Sequence, residues 1–117
     1  MPSSSVNNVG VLVNEVDTRV YLATVNDAVS MRCDVSGTII RWDHYPVIWL
    51  GLPHLYSTVY TGSIVSPAYS ATFSVSQAAD NVSVLTITAV QANDGGKYTC
   101  KPVGTNMEQS HHLIVLG

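Results

Sequence analysis

The chain has 117 residues, 46% of them apolar and only 11% charged, with a formal net charge of −3. That length and apolar content suit one domain with a buried core and exclude a disordered tail. The charged share is under half the ~25% usual for soluble domains, so part of the apolar surface is expected to meet a partner.

The five basic residues, Arg19, Arg32, Arg41, Lys97 and Lys101, are scattered singly, without the basic stripe that nucleic acid requires. No run reaches the ~20 apolar residues needed to cross a bilayer. Met1-Pro-Ser-Ser-Ser lacks the charged start and apolar block of a signal peptide. A mature or excised fragment with an added Met1 is one explanation, and a cytosolic protein is the other.

In chain order, residues 1–8 read as a flexible lead-in and 9–117 as a single domain. VGVLVN (9–14) and TRVYLATV (18–25) read as two opening strands, closed by the turn residues Asn26 and Asp27. AVSMRCDV (28–35) alternates, placing Val29, Met31, Cys33 and Val35 on one face and Ser30, Arg32 and Asp34 on the other. TIIRWDHY (38–45) follows with Trp42 at its middle, and Pro46 ends it. VIWL (47–50) is strongly apolar, Gly51 and Pro53 break the run, and LYSTVYT (55–61) resumes extended structure. YSATFSVSQ (69–77) alternates around Phe73 and Val75, and VSVLTITAV (82–90) turns Leu85 and Ile87 inward. QANDGG is a corner, KYTCKPV (97–103) a strand, GTNMEQ a hairpin loop and HHLIVL (111–116) the last strand. Short, β-branched segments with turns about every ten residues are the signature of an all-β sandwich or barrel.

The two cysteines, Cys33 and Cys100, lie on separate strand-like segments. They fit one disulfide more readily than a metal site, which wants four ligands; two buried free thiols are the other reading. A disulfide closing so long a loop adds roughly 4 kcal/mol of stability and implies an oxidising, secreted or outer-surface compartment.

Cys33, Trp42, Leu85-x-Ile87 and Asp94-x-Gly96-x-Tyr98-x-Cys100 together resemble an immunoglobulin V-set domain, over about residues 9 to 116. The resemblance implies a V-type β-sandwich of nine or ten strands in two sheets, joined by a Cys33–Cys100 disulfide packed on Trp42. It implies a Tyr98 hydroxyl bonded to backbone near Asp94, and extra C′ and C″ strands between Trp42 and Phe73. Two departures stand out. The positions before Phe73 are Ala71 and Thr72 where the family usually has an Arg to pair with the corner Asp, so Asp94 is expected to turn to His44. The tail TNMEQSHHLIVLG lacks the Phe-Gly-x-Gly segment of rearranged antigen receptors, which favours a germline receptor, an adhesion molecule or a related invertebrate domain.

No nucleophile elbow, P-loop, HExxH or dinucleotide fingerprint is present, so no enzyme activity and no cofactor are expected. His111 and His112 are adjacent in a strand and point to opposite faces, so they do not grip one metal, and no metal site is expected. Asn81-Val82-Ser83 is a glycosylation sequon, making Asn81 a candidate site.

V-set domains commonly bind through the outer G-F-C-C′ face. With Trp42 and Cys100 inward, parity sends Ile39, Arg41, Asp43 and Tyr45, then Thr99, Lys101 and Val103, outward. Leu113 and Val115 inward leaves His112, Ile114 and Leu116 outward. Trp49 or Leu50 is expected on C′, followed by Leu52, Leu55 and Tyr56. This mixture of aromatics, aliphatics and single charges is the make-up of an interface core. The expectation is a non-catalytic, extracellular recognition module, of immune-receptor or adhesion type, that binds a protein partner or itself. A homodimer is expected, with Arg41 and Asp43 pairing reciprocally across a two-fold axis, and membrane attachment only through a downstream anchor. The alternative is a secreted immune effector binding a glycan or microbial ligand through the polar loop of Gly104, Thr105, Asn106, Glu108 and Gln109.

Overall fold

The computed structural model describes residues 15–35, 37–46, 56–77 and 82–116. They form nine strands: β1 (Glu15–Thr24), β2 (Val29–Arg32), β3 (Ile40–Pro46), β4 (Ser57–Thr61), β5 (Ile64–Val65), β6 (Phe73–Gln77), β7 (Ser83–Ile87), β8 (Gly96–Pro102) and β9 (Glu108–Leu116). The expected opening strand at 9–14, the lead-in 1–8, Trp49, Leu50 and Asn81 lie outside the described residues.

A six-stranded sheet runs β1-β9-β8-β3-β4-β5 and a three-stranded sheet runs β2-β7-β6. Only the β1–β9 pairing is parallel. The period-2 alternation that suggests strands also decides their faces. On β2 and β7 alternate residues are buried: Val29 and Met31, then Ser83, Leu85 and Ile87. The strand paired with β3 on the side away from β8 is β4, Ser57–Thr61; the 47–50 run lies outside the described residues. The 69–77 segment begins in turns and becomes strand only at Phe73.

The two sheets meet over Met31, Trp42, Leu85, Ile87, Tyr98 and the cysteines, all fully buried. Cys33 and Cys100 are bonded, with their Cα atoms 6.0 Å apart. Trp42 is the register partner of Cys100. Its indole N–H donates to Ser83 Oγ, on the opposite sheet, at 2.9 Å. This is a second cross-sheet tie, and it resolves what to do with a polar atom on a wholly buried ring.

The corner before β8 is a 3₁₀ turn, Ala92–Asp94. Gly96 sits at φ +128°, where a side chain is strained, and releases the chain into β8. The Tyr98 hydroxyl donates to the Asp94 carbonyl, as the resemblance implies. The expected partner of the Asp94 carboxylate is corrected: it accepts the Gln91 backbone N–H at 2.8 Å, in a capping box. His44 instead places Nε2 2.9 Å from the Gly95 carbonyl and Nδ1 3.0 Å from the Tyr69 hydroxyl. It stacks on Tyr98 with ring centroids 4.2 Å apart. The reason is local: a 3₁₀ turn leaves an N–H that a short carboxylate three residues on satisfies at once.

Ser83→Ala tests the second tie. It strands a buried indole N–H, so unfolding free energy is expected to fall by about 1–3 kcal/mol. Urea titration should show a lower midpoint at unchanged slope; a change under ~0.5 kcal/mol would mean the bond does not stabilise the fold.

Candidate functional site

On the large sheet, parity delivers one row of side chains per strand to the outer surface. β3 contributes Arg41, Asp43 and Tyr45, and β8 contributes Lys101, Thr99 and Lys97 directly opposite them. Tyr56, just before β4, reaches over from the far side. Arg41, Asp43, Tyr45, Tyr56, Thr99, Lys101, Val103, Gly104 and Glu108 line one hollow of about 260 Å³.

Its floor is ordered by Arg41. The guanidinium donates to Asp43 Oδ1 at 2.9 Å, to the Tyr56 hydroxyl at 3.0 Å and to Thr58 Oγ1 at 3.1 Å. It also lies 5.5 Å from the Tyr56 ring centroid. Tyr45 and Tyr56 pack with centroids 5.3 Å apart, and the Lys97 ammonium sits 4.5 Å from the Tyr45 ring. The Asp43 carboxylate holds Arg41 above its usual range. Burial, with Asp43 and Glu108 nearby, raises the Tyr45 phenol, so it is a neutral hydrogen-bonding group at physiological pH. Each anchor is thus held by its neighbours before any partner arrives, which lowers the ordering cost of binding.

The expected residues Arg41, Asp43, Tyr45, Tyr56, Lys101 and Val103 therefore converge on this one surface. His112 stands apart, between Val20 of β1 and Lys97 of β8. Within the chain Arg41 and Asp43 pair with each other, because side chains two apart on a strand share a face. Asp43 is only 8% exposed as a result. Thr99, by parity, and Gly104 and Glu108, from the β8–β9 hairpin, complete the lining. The polar loop is smaller than expected, since β9 starts at Glu108. Gln109 is fully buried, receiving the Asp34 backbone N–H at 2.8 Å and donating to the Asp34 carboxylate at 2.9 Å.

A chain of the crystal structure of the ZIG-8–RIG-5 IG1–IG1 heterodimer is similar over 94% of this chain and 90% of that one, with a TM-score of 0.66 and 17% identity. The protein has an immunoglobulin variable-type fold. No family model and no curated protein matches the sequence. Among the described residues, no three His, Cys, Asp or Glu side chains gather to hold a metal ion.

Two histidines on the inward faces that parity assigns them, His44 and His111, are buried in the immunoglobulin core. His111 is wholly buried, with Nδ1 3.0 Å from the Tyr21 hydroxyl and its ring 5.4 Å from Trp42. Its Nε2 has no hydrogen-bond partner among the described residues. Burial pushes its pKa down to about 4, assisted by Arg19 and His112 and opposed by Asp34. Burial lowers His44 as well, against the Gly95 carbonyl and the Asp94 charge. Both groups are neutral in the fold and take up protons more readily when unfolded. Their contribution is complete above the unfolded value near 6.5 and is lost as pH falls toward 4. His111 alone accounts for about 3 kcal/mol over that window. Urea midpoints measured from pH 7 to pH 4 should fall steadily, and His111→Gln should flatten the curve. A midpoint constant across that range contradicts this assignment.

Proposed function

We propose that this domain is a non-catalytic extracellular recognition module that binds a protein partner through the outer β9-β8-β3-β4 face. The single observation that carries the reading is the hollow floored by Arg41, with two tyrosine rings and a guanidinium already locked together. Tyrosine and arginine in a preordered, half-enclosed setting are the residues that dominate interface energetics. The disulfide supports an oxidising, extracellular setting. The similar chain belongs to a heterodimer of two immunoglobulin domains, which supports a partner of the same general kind.

Charge favours a different protein over a second copy on this face. Arg41, Lys97 and Lys101 are three of the five basic residues of a chain with net charge −3, and they cluster here beside Asp43 and Glu108. A symmetric pair would bring the cations toward their own copies, whereas an acidic, aromatic partner surface complements them.

A multivalent display of the domain, probed against an array of extracellular domains, tests the reading. Binding to a hit should weaken at least ~10-fold, about 1.4 kcal/mol, in each of Arg41→Ala and Tyr56→Ala. Lys101→Glu should lower the association rate and its salt dependence. Asn106→Ala, in the exposed turn, should leave binding unchanged. Loss of binding in Asn106→Ala with the face variants unaffected would move the site to the loop and reinstate a glycan or other loop ligand.

A further inference from the structure

The same sheet surface carries a second, chemically different region along its β1–β9 seam. Val20, Leu22, Ile114 and Leu116 are exposed there at 62%, 67%, 46% and 48%. Leu22 is the register partner of Ile114, and Thr24 of Leu116, so these aliphatics form one continuous stripe. β1 is also the outermost strand, and no strand pairs with its other edge among the described residues.

An open edge offers a row of unpaired backbone donors and acceptors, and proteins usually blunt it with proline, lysine, short length or a bulge. β1 has ten residues, EVDTRVYLAT, with no proline, glycine or lysine. Its irregularity falls between Val16 and Arg19, leaving Arg19 to Thr24 in unbroken register with β9. The one charged side chain in that stretch, Arg19, is paired with Asp34 of its own chain.

The sequence selects which strand. About Tyr21, two of the three pairs in the segment 18–24 match in chemistry: Val20 mirrors Leu22 and Thr18 mirrors Thr24, while the long Arg19 falls opposite the small Ala23. We infer that a second copy of this chain docks on β1, with the two β1 strands antiparallel about a two-fold axis at Tyr21. That register sets Val20 against Leu22 of the second copy, and Leu22 against its Val20. Paired positions share parity, so outward side chains meet outward side chains and free backbone groups meet free backbone groups. The segment's one charge, Arg19, falls opposite Ala23 and is already bound to Asp34 of its own chain, so no like charges oppose each other. Aliphatic and Thr–Thr cross-strand pairs are individually favourable, and a two-fold interface requires this reciprocity. The two six-stranded sheets become one continuous sheet, with the aliphatic stripe doubled across the axis. The paired stretch is short, which places the dimer in the weak, concentration-dependent class.

Sedimentation velocity across the micromolar range should show a concentration-dependent monomer–dimer equilibrium. Val20→Lys with Leu22→Lys sets lysine against lysine and should weaken dimerisation at least ~10-fold. Arg41→Ala and Tyr56→Ala, on the hollow, should leave the dimer intact, so this result and the partner-binding result stand or fall separately. A mixture of Val20→Cys and Leu22→Cys copies should cross-link on oxidation, while each variant alone should not; this fixes the register even if the lysine variant folds poorly. A monomer at every concentration overturns the inference. So does a dimer indifferent to the lysine pair, a dimer lost only in the hollow variants, or Val20→Cys cross-linking as well alone as in the mixture.

Discussion

Everything on the outer surface depends on which way Cys100 and Trp42 point. The two are register partners on β8 and β3, both fully buried, and Cys100 is bonded to Cys33 at the end of β2. Side chains alternate with a period of two, so this buried pair leaves no freedom for the rest of either strand. Thr99 and Lys101 are outward because Cys100 is inward, and Arg41 and Asp43 are outward because Trp42 is inward. A slip of one residue would bury Arg41 and Asp43 and expose the indole. The disulfide and the Trp42–Ser83 bond therefore do more than hold two layers together. They fix the address of each residue in the hollow.

This dependence explains what could be read from the sequence. The cysteines, Trp42, the corner before β8 and the alternation along β2, β3, β8 and β9 are all local patterns, and they yielded the sandwich and the outward rows. Three features required the tertiary structure. Which run pairs with β3 was hidden because periodicity alone cannot rank the short extended runs that follow Pro46, and the pairing falls to Ser57–Thr61. The Asp94 carboxylate turned to its own loop because the 3₁₀ turn leaves the Gln91 N–H, three residues back, for it to cap. Gln109 looked like a loop residue, yet it is buried because Asp34 presents both a donor and an acceptor to it. By sequence Arg41 and Asp43 read as partners between copies, whereas within the chain their two-residue spacing sets them side by side in one pair.

The scarcity of charge shapes the inside as well as the outside. Where the family pattern has an ion pair at the corner, this chain uses a neutral imidazole bonded to Gly95 and Tyr69 and stacked on Tyr98. A second neutral imidazole, His111, lies against Trp42. A buried ion pair pays heavily in desolvation for uncertain net gain, and a neutral ring avoids that cost while accepting a pH limit. Arg19 and Arg32 both converge on Asp34, tying β1 and β2 at one end of the sandwich. The basic residues left over are the three on the outer face.

That partition separates two surfaces on one sheet. The hollow spans β3, β8 and the approach to β4, and is polar, aromatic and cationic. The stripe spans β1 and β9, and is aliphatic and uncharged. Between them lie the outward side chains of Lys97 and His112, which are register partners. Polar, positively charged surface is a poor match for an aliphatic strip, so each region rejects the other's occupant. A strand added at β1 lengthens the sheet within its own plane and leaves the β3–β8 surface uncovered. Two copies joined there would present two hollows on the same continuous sheet. A partner engaging both would gain in avidity without any new contact, provided its own sites span the distance between them.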